Sequence, residues 1–263
     1  MTQLADYENK YEHAAFERRE NGLLRVTLHT DGGPLDYHLG VHHEWTTLWD
    51  DIARDDANRL VIITGAGDAF IPARQAPPPH LAKSPKYTPE QYHPLLRDGL
   101  LHIAGLLSIP VPVIAAVNGP ARVHAEIALM SDIVLATPDA EFQDQPHLPN
   151  QIVPGDGIHV IMPYLMGRVR GAYFLMLGER LGVQEAQRMG LVNEIVERDA
   201  LLPRAEEIAA KLLNQPDHNL RYTRLILTHD LKEKMHHHLA MACGLQGLAS
   251  LSNDWTNWPF PAD

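Results

Sequence analysis

The residues best suited to catalysis lie in one short segment, residues 142–157, with the sequence FQDQPHLPNQIVPGDG. His147 stands between two prolines, and Asp156 stands between two glycines. A histidine can take a proton from water near neutral pH if its tautomer is fixed, and a carboxylate on the far ring nitrogen fixes it and stabilises the imidazolium. The prolines and glycines restrict the loop that carries both groups. The segment therefore predicts a general base, His147, oriented by Asp156.

The same residues also fit a purely structural role. His147 would then occupy a turn, and Asp156 would cap the N-terminus of a helix that Gly157 opens. His159 is the second candidate for either catalytic role. The loop taken by itself leaves both interpretations open.

A second segment, NGPARVHAEIALMSD at residues 118–132, favours the catalytic interpretation. A strand that ends at Val117 is followed by glycine and proline, and a short helix is expected to begin near Val123. His124 and the neighbouring N–H groups would lie at that helix N-terminus, which favours negative charge and suits a developing oxyanion. Glu126 follows in the same turn. The structural alternative for His124 is a buried histidine at a helix start.

Other motifs argue against several kinds of site. Residues 65–67, Gly-Ala-Gly, lack the third glycine and the later acidic residue of a dinucleotide fingerprint, so a tight turn is expected. Three consecutive histidines at 236–238 point in different directions on a helix and predict a solvated face, and His42 and His43 are treated in the same way. No G-x-S-x-G motif is present, and Cys243 lies in a helical apolar run, so no covalent acyl-enzyme is expected.

Composition bears on partners and location. The formal net charge is −11, which disfavours nucleic acid and anionic lipid as partners. The single cysteine excludes an intramolecular disulfide and fits a reducing cytoplasm. The first 22 residues lack an apolar signal core, and the most apolar stretch is interrupted by His102 and two prolines. We therefore expect a cytoplasmic protein with no membrane span and no nucleic-acid partner.

The elements that must position these side chains follow an α/β pattern. Residues 23–30 alternate and are β-branched, which predicts a strand. Short continuous apolar runs at 59–67, 111–119, 131–137 and 190–196 predict strands buried on both faces and hence parallel. Helical periods between them predict helices at 40–54, 88–108 and 168–179. Alternating strands and helices with crossover connections predict an α/β fold.

The last third of the chain is predicted to be helical. After Val183 the pattern gives a short helix, a longer helix at 199–215, and an apolar-periodic region at 219–251 that is expected to break near His229–Asp230. The proline-rich segment 71–90 is expected to be a stiff loop that covers part of the molecule. We therefore divide the chain into a core at 1–197 and a C-terminal helical region at 198–263.

Three strings place the chain beside a known superfamily. They are RLVIITGAGDAF, VPVIAAVNGPARVHAEIALMSDIVLATPDAEFQ and GRVRGAYFLMLGERLGVQEAQRMGLVNEIV. In order and spacing they resemble the crotonase (enoyl-CoA hydratase/isomerase) superfamily over residues 15 to 250. The resemblance implies a spiral of ββα turns, a C-terminal helical region that serves trimerisation and covers the active site, and assembly as a trimer or a dimer of trimers.

Two departures from that superfamily concern coenzyme A thioester chemistry. FIPARQAPPP stands where members usually carry an alanine- and glycine-rich acidic stretch that supplies an oxyanion amide. RVHAE stands where they usually carry three glycines, and their common catalytic glutamates are not in register. These differences disfavour a thioester substrate.

One branch of the superfamily does match. NGP followed by His124, and FQDQPHLPNQIVPGDG, resemble 6-oxocamphor hydrolase and its β-diketone hydrolase relatives, which cleave carbon–carbon bonds without coenzyme A. The resemblance implies that His147 activates water, that Asp156 orients it, and that His124 stabilises an enolate.

The same resemblance implies a substrate and its contacts. The substrate would be a small hydrophobic cyclic β-diketone, hydrolysed to a keto acid by retro-Claisen cleavage, with no metal and no organic cofactor. Tyr37 stands in place of the relatives' active-site tryptophan, and Gln246 in place of a glutamate in the C-terminal helix. Phe142 is the third expected substrate contact.

Three other functions remain as alternatives. A metal-dependent hydrolase could use His147 and Asp156 with His159 or His124. A coenzyme A-dependent hydratase or isomerase would retain the superfamily's usual chemistry. A non-catalytic binding subunit would retain only its fold.

Overall fold

The computed structural model describes residues 2–73 and 88–252. Most of the proline-rich loop expected at 71–90 lies outside the described residues, so its expected covering role stays a prediction. The strands are β1 (Ala14–Arg18), β2 (Leu23–Leu28), β3 (Leu60–Gly65), β4 (Val113–Val117), β5 (Ile133–Ala136), β6 (Glu141–Phe142), β7 (Leu181–Gly182) and β8 (Glu194–Ile195). The helices are α1 (Leu4–Tyr7), α2 (Leu39–Arg54), α3 (Pro89–Ser108), α4 (Ala125–Leu129), α5 (Ile158–Met166), α6 (Arg168–Leu177), α7 (Val183–Arg188), α8 (Arg198–Leu213) and α9 (Asp217–Ser252).

The main sheet has six strands in the order β1-β2-β3-β4-β5-β8. β1 pairs antiparallel with β2, and every later pair is parallel. β6 and β7 form a separate antiparallel pair. The predicted α/β fold with a parallel sheet is confirmed.

β3 illustrates why the predicted strands are apolar at every position. Its side chains alternate between two hydrophobic clusters on opposite faces of the sheet. Val61 and Ile63 enter the larger cluster, while Leu60 and Ile62 enter a smaller cluster with residues of α8. A strand covered on both faces needs no polar positions, so its sequence shows a continuous run.

The last helix differs from the prediction. We expected a break near His229–Asp230, but α9 runs from Asp217 to Ser252 without one. Asp230 forms an ion pair with Lys234 at 3.2 Å, and Nε2 of His229 lies 3.6 Å from a carboxylate oxygen of Glu233. Such i,i+4 contacts support a helix. The prediction was wrong because two polar residues do not interrupt a helix whose backbone bonds are intact. Among the described residues, no helix, α9 included, is long and apolar enough to cross a membrane.

α9 lies against the part of the fold that carries the candidate loops. It packs on α3 and α5. α8 begins at Arg198, next to the predicted boundary between the core and the C-terminal region. The division into a core and a C-terminal helical region stays a prediction.

Candidate active site

Backbone pairing brings the two candidate loops side by side. Single bridges join Ile71 to Ala121 and Ala121 to Phe142. The amide of Gln145 donates to the carbonyl oxygen of Arg122 at 3.0 Å. The segment that leads to His147 is therefore fixed against the segment that leads to His124.

His124 sits in a left-handed backbone conformation, with φ 49° and ψ 47°, immediately before α4. Histidine tolerates this region better than bulky or branched residues do, but the conformation still costs of order 1–2 kcal/mol. The turn places the side chain in the interior, where it is 5% exposed. Its Nδ1 lies 2.5 Å from Oε1 of Glu126, a side chain that is also buried.

His147 lies between two carboxylates, one at each ring nitrogen. Its Nδ1 lies 2.5 Å from Oδ1 of Asp144, and its Nε2 lies 3.4 Å from Oδ1 of Asp156. The sequence-based expectation was that Asp156 would hold the far nitrogen. Instead Asp144 contacts one nitrogen, and Asp156 faces the other from across the site. The expectation missed Asp144 because residue spacing in a loop does not reveal which carboxylate the backbone turns towards the ring.

Asp156 occupies the centre of the cluster. Its Oδ1 faces His147, and its Oδ2 lies 3.8 Å from Nδ1 of His124. Asp156 does not cap α5, because the N-cap residue is Gly157 and no side chain caps that position. The geometry therefore does not support the structural alternative, in which Asp156 caps a helix.

The two flanking glycines let this loop approach the helices. Gly157 has φ +113°, and a Cβ there would lie 2.7 Å from Cε of Met235 in α9. A Cβ on Gly155 would lie 2.4 Å from Oε1 of Gln246, and the Gly155 carbonyl oxygen accepts a hydrogen bond from Sγ of Cys243 at 3.1 Å. α9 therefore helps to set the position of Asp156.

The cluster shifts the pKa values of its members. Burial alone would lower the pKa of His147, but the carboxylates of Asp144 and Asp156 outweigh it and raise that pKa well above the usual value. Burial likewise opposes a charged His124, but Glu126 and Asp156 raise its pKa. Burial would raise the pKa of Asp156, whereas the two imidazoles hold it well below its usual range. Burial dominates at Glu126 and raises its pKa.

These directions describe a site that keeps Asp156 ionised and stabilises positive charge on both histidines. An imidazolium formed by taking a proton from water would therefore be favoured here. Charge inside a dry site acts more strongly than it does in water.

A cavity of about 130 Å³ opens beside the cluster. Its polar wall includes Tyr37, Gln145, His147, Asp156 and Gln246, and α2 and α3 contribute to its apolar wall. Four of the six residues predicted for the site, namely Tyr37, His147, Asp156 and Gln246, line this cavity. The space suits a small molecule rather than an extended one.

The other two predicted residues lie elsewhere. His124 is not on the described wall but stands directly behind it, with its ring 4.6 Å from that of Tyr37. Phe142 is fully buried in the core, where β6 pairs with β7, and it does not line the cavity. The described cavity wall therefore gives no support to the expectation that Phe142 contacts substrate, because the ring packs in the core.

His42 was missed by the sequence analysis, which grouped it with His43 on a solvated face. His43 is exposed, but His42 is buried and lines the cavity. The ring of His102 stacks on that of His42 at 5.1 Å and on that of Trp45 at 5.0 Å. The spacing of His42, Trp45 and Trp49 along α2 marks one helix face, and this signal would have identified the buried histidine.

Two further histidine predictions concern α9 and α5. Residues 236–238 are exposed on α9, as predicted. His159 lies on α5 outside the described cavity wall, so its candidacy for either catalytic role finds no support.

One set of side chains in the site has the composition of a metal centre. Ligand atoms of His124, Glu126 and Asp156 lie within 4.8 Å of one another. The 2.5 Å separation of His124 and Glu126 is a hydrogen-bond distance, and it requires a proton between the two atoms. A cation would have to displace that proton. Near the surface, Glu12, His13 and Glu44 form a second such set.

Comparison with known protein families gives one broad match. The model of the family described as enoyl-CoA hydratase/isomerase matches residues 19–250. The 1,2-epoxyphenylacetyl-CoA isomerase of Escherichia coli (strain K12) is 27% identical over 246 residues, covering 90% of each chain. The carnitinyl-CoA dehydratase of Escherichia coli (strain K12) is 32% identical over 166 residues, which span 61% of this chain and 60% of that protein.

Solved structures give two informative matches. A β-diketone hydrolase from the cyanobacterium Anabaena sp. PCC 7120, bound to (S)-3-oxocyclohexyl acetic acid, is 40% identical with a TM-score of 0.89. That match covers 94% of this chain and 97% of the hydrolase. An enoyl-CoA hydratase/isomerase from Mycobacterium paratuberculosis has a TM-score of 0.84 at 24% identity, covers 94% of this chain and 97% of that one, and supports the fold alone.

Proposed function

This chain belongs to the enoyl-CoA hydratase/isomerase family, and we propose that it is a hydrolase that cleaves a carbon–carbon bond of a cyclic β-diketone. The observation that carries the proposal is the His147 imidazole on the cavity wall, with a carboxylate at each ring nitrogen. A retro-Claisen hydrolysis needs such a base, and it needs no external electron sink because the substrate provides one.

The reaction begins with water. Nε2 of His147 takes a proton from a water molecule, and the hydroxide adds to one carbonyl carbon of the diketone. Asp156 faces the same nitrogen and stabilises the imidazolium that forms. The negative charge of the tetrahedral adduct then drives cleavage of the bond to the carbon between the two carbonyl groups.

The departing carbon leaves as the enolate of the second carbonyl. We place that enolate on the side of Tyr37 and His124. The raised pKa of His124 favours its charged form, which lies close behind the cavity wall. α4 has only five residues, so its dipole adds little, and the imidazole is the stronger source of stabilisation. The proton held on His147 returns to the enolate carbon, and the product is a keto acid.

The ligand of the Anabaena hydrolase supports the substrate class. (S)-3-Oxocyclohexyl acetic acid contains a ring ketone and a carboxylic acid, which are the two groups that hydrolysis of a cyclic diketone leaves. Joining its carboxyl carbon to the ring carbon next to the ketone, on the side away from the acetic acid substituent, gives a bicyclic diketone. The small, partly apolar cavity suits a molecule of this kind.

A direct assay tests the proposal. Purified protein is mixed with bicyclic and monocyclic 1,3-diketones, and keto-acid formation is followed by liquid chromatography with mass spectrometry. In ¹⁸O-labelled water, one labelled oxygen is expected in the new carboxylate. Absence of keto acid across the panel, with a folded protein, would contradict the proposed function.

The pH dependence of the reaction follows from the electrostatics of His147. The ring accepts a proton from water only when it is neutral, and the flanking carboxylates raise its pKa above the ordinary 6.5. We therefore expect kcat/KM to rise with pH, with a midpoint above 6.5. The measurement is a pH–rate profile with a 1,3-diketone; a midpoint at or below 6.5 would contradict this assignment of the base.

Coenzyme A thioester chemistry is the main alternative, because two sequence relatives are named for coenzyme A substrates. The site pairs two histidines with carboxylates, and the described cavity wall carries no lysine or arginine that could meet phosphate groups. An enoyl-CoA hydration assay beside the diketone assay separates the two. Turnover of the thioester alone would favour the alternative.

A metal-dependent hydrolysis would use His124, Glu126 and Asp156. Elemental analysis of the purified protein and assay after treatment with a chelator distinguish it. Activity that is lost on chelation and restored by a divalent cation would support this alternative.

Self-association is the remaining part of the proposal. Large apolar side chains are exposed on α6 and α9, including Val169, Met176 and Ile226. Packing of copies removes these groups from water, which supports self-association. The stoichiometry that we propose, a trimer or a dimer of trimers, comes from the resemblance to the superfamily. Sedimentation velocity at micromolar concentration is expected to show a trimer or hexamer, and a monomer would contradict it.

A further inference from the structure

We infer that Asp144 is the positioning residue of His147: its carboxylate holds the proton on Nδ1 and so leaves the Nε2 lone pair directed at the cavity. This inference rests on the proposed function, in which His147 is the base. In this view Asp144, and not Asp156, fixes the tautomer and orientation of the ring. Asp156 stabilises the positive charge that the ring gains.

The two distances around the ring support this division. A neutral imidazole carries one N–H, and the nitrogen with the better acceptor keeps it. The 2.5 Å separation of Nδ1 and Asp144 is a short hydrogen bond, whereas the 3.4 Å separation of Nε2 and Asp156 lies beyond the usual range. The proton therefore stays on Nδ1, and Nε2 is the basic nitrogen.

The surroundings of Asp144 give an independent argument. Its side chain is buried, and among the described residues its Oδ2 has no hydrogen-bond partner. The imidazole of His147 is thus the only described group that compensates for burying this carboxylate. A buried charge that serves one partner through one short bond indicates a role directed at that partner.

The backbone explains how the contact is made. Asp144 and His147 are three residues apart, and the amides of Gln143 and Gln145 on both sides of Asp144 donate to the carbonyl oxygens of Ala121 and Arg122. His147 is the N-cap of a short 3₁₀ helix, Leu148–Asn150, and its carbonyl oxygen accepts hydrogen bonds from the amides of Asn150 and Ile152. Both partners are therefore fixed before any substrate enters.

Nuclear magnetic resonance of the whole protein labelled with ¹⁵N-histidine tests the inference without any substrate. The signals of His147 are assigned by their loss in His147→Gln. Above its pKa, the ring is expected to show the Nδ1–H tautomer, and the Nε2–H tautomer would overturn the inference. The tautomer is read from the unaltered protein, so this measurement does not depend on whether Asp144→Asn folds.

Asp144→Asn gives the second measurement. The titratable groups that act on the ring are Asp144, Asp156, His124 and His159. Removing the charge of Asp144 is expected to lower the pKa of His147 and to increase the Nε2–H tautomer. An unchanged pKa and tautomer would contradict the inference.

Two controls accompany the test. Asp144→Glu keeps a carboxylate within reach of the ring, so the pKa of His147 is expected to stay raised. A decrease in that pKa as large as the one in Asp144→Asn would contradict the inference. Asp50→Asn removes an exposed carboxylate of α2 and should leave the spectrum unchanged. Since no reaction is measured, an inactive enzyme with the expected tautomer would refute the proposed function but not the role of Asp144.

Discussion

Replacing His147 by glutamine is expected to lower kcat for hydrolysis of a 1,3-diketone by about 10²–10⁴-fold. Glutamine approximates the size of the ring and can still hydrogen-bond Asp144, but it cannot take a proton from water near neutral pH. KM should change much less than kcat, because the ring acts on water and is only one part of the cavity wall. Steady-state kinetics, with circular dichroism to verify folding, measure both effects.

The matched control is His237→Gln. His237 is an exposed histidine of α9 whose Nδ1 contacts only the backbone carbonyl oxygen of Glu233 among its described hydrogen bonds. This variant should retain full activity. If His147→Gln also retained it, another group would have to be the base.

Asp156→Asn is expected to have the second-largest effect, with a loss of roughly 10²–10³-fold in kcat. The carboxylate stands between both histidines and is the group that stabilises the imidazolium on the cavity side. Its loss should also move the midpoint of the pH–rate profile to lower pH, because one of the two charges that raise the pKa of His147 disappears. Wild-type kcat in this variant would contradict the role of Asp156.

The same variant should lose less stability than its burial suggests. Leaving a buried charge without a partner typically costs about 3–5 kcal/mol, but each histidine here retains a second carboxylate, Asp144 or Glu126. The free energy of unfolding is therefore expected to fall by less than that amount near neutral pH. Urea denaturation followed by circular dichroism measures it, and a larger loss would show that the remaining pairs do not compensate.

Much of the fold could be predicted because its chemistry is local. The runs around Val61 and Ile114 are apolar at consecutive positions, which is what a parallel strand covered on both faces requires. The loop of His147 and Asp156 was identifiable from proline and glycine, since those residues restrict the backbone whatever surrounds them.

The rest depended on contacts between distant segments. The orientation of Asp144 follows from backbone bonds to residues 121 and 122, which no local spacing reveals. Phe142 lies beside the loop of His147 in sequence, yet its strand pairs with Leu181 and its ring packs in the core. His42 and His43 are adjacent and chemically equal, and only the packing face of α2 distinguishes the wall residue from the exposed one.

Because residue 155 is glycine, the side chain of Gln246 can contact the loop that carries Asp156. Gln246 occupies the space that a Cβ on Gly155 would fill, and this residue is also part of the cavity wall. A residue of different size or charge at position 246 would alter which molecules fit and would displace Asp156 at the same time. We therefore expect substitutions at position 246 to change both the selectivity and the rate of the proposed reaction.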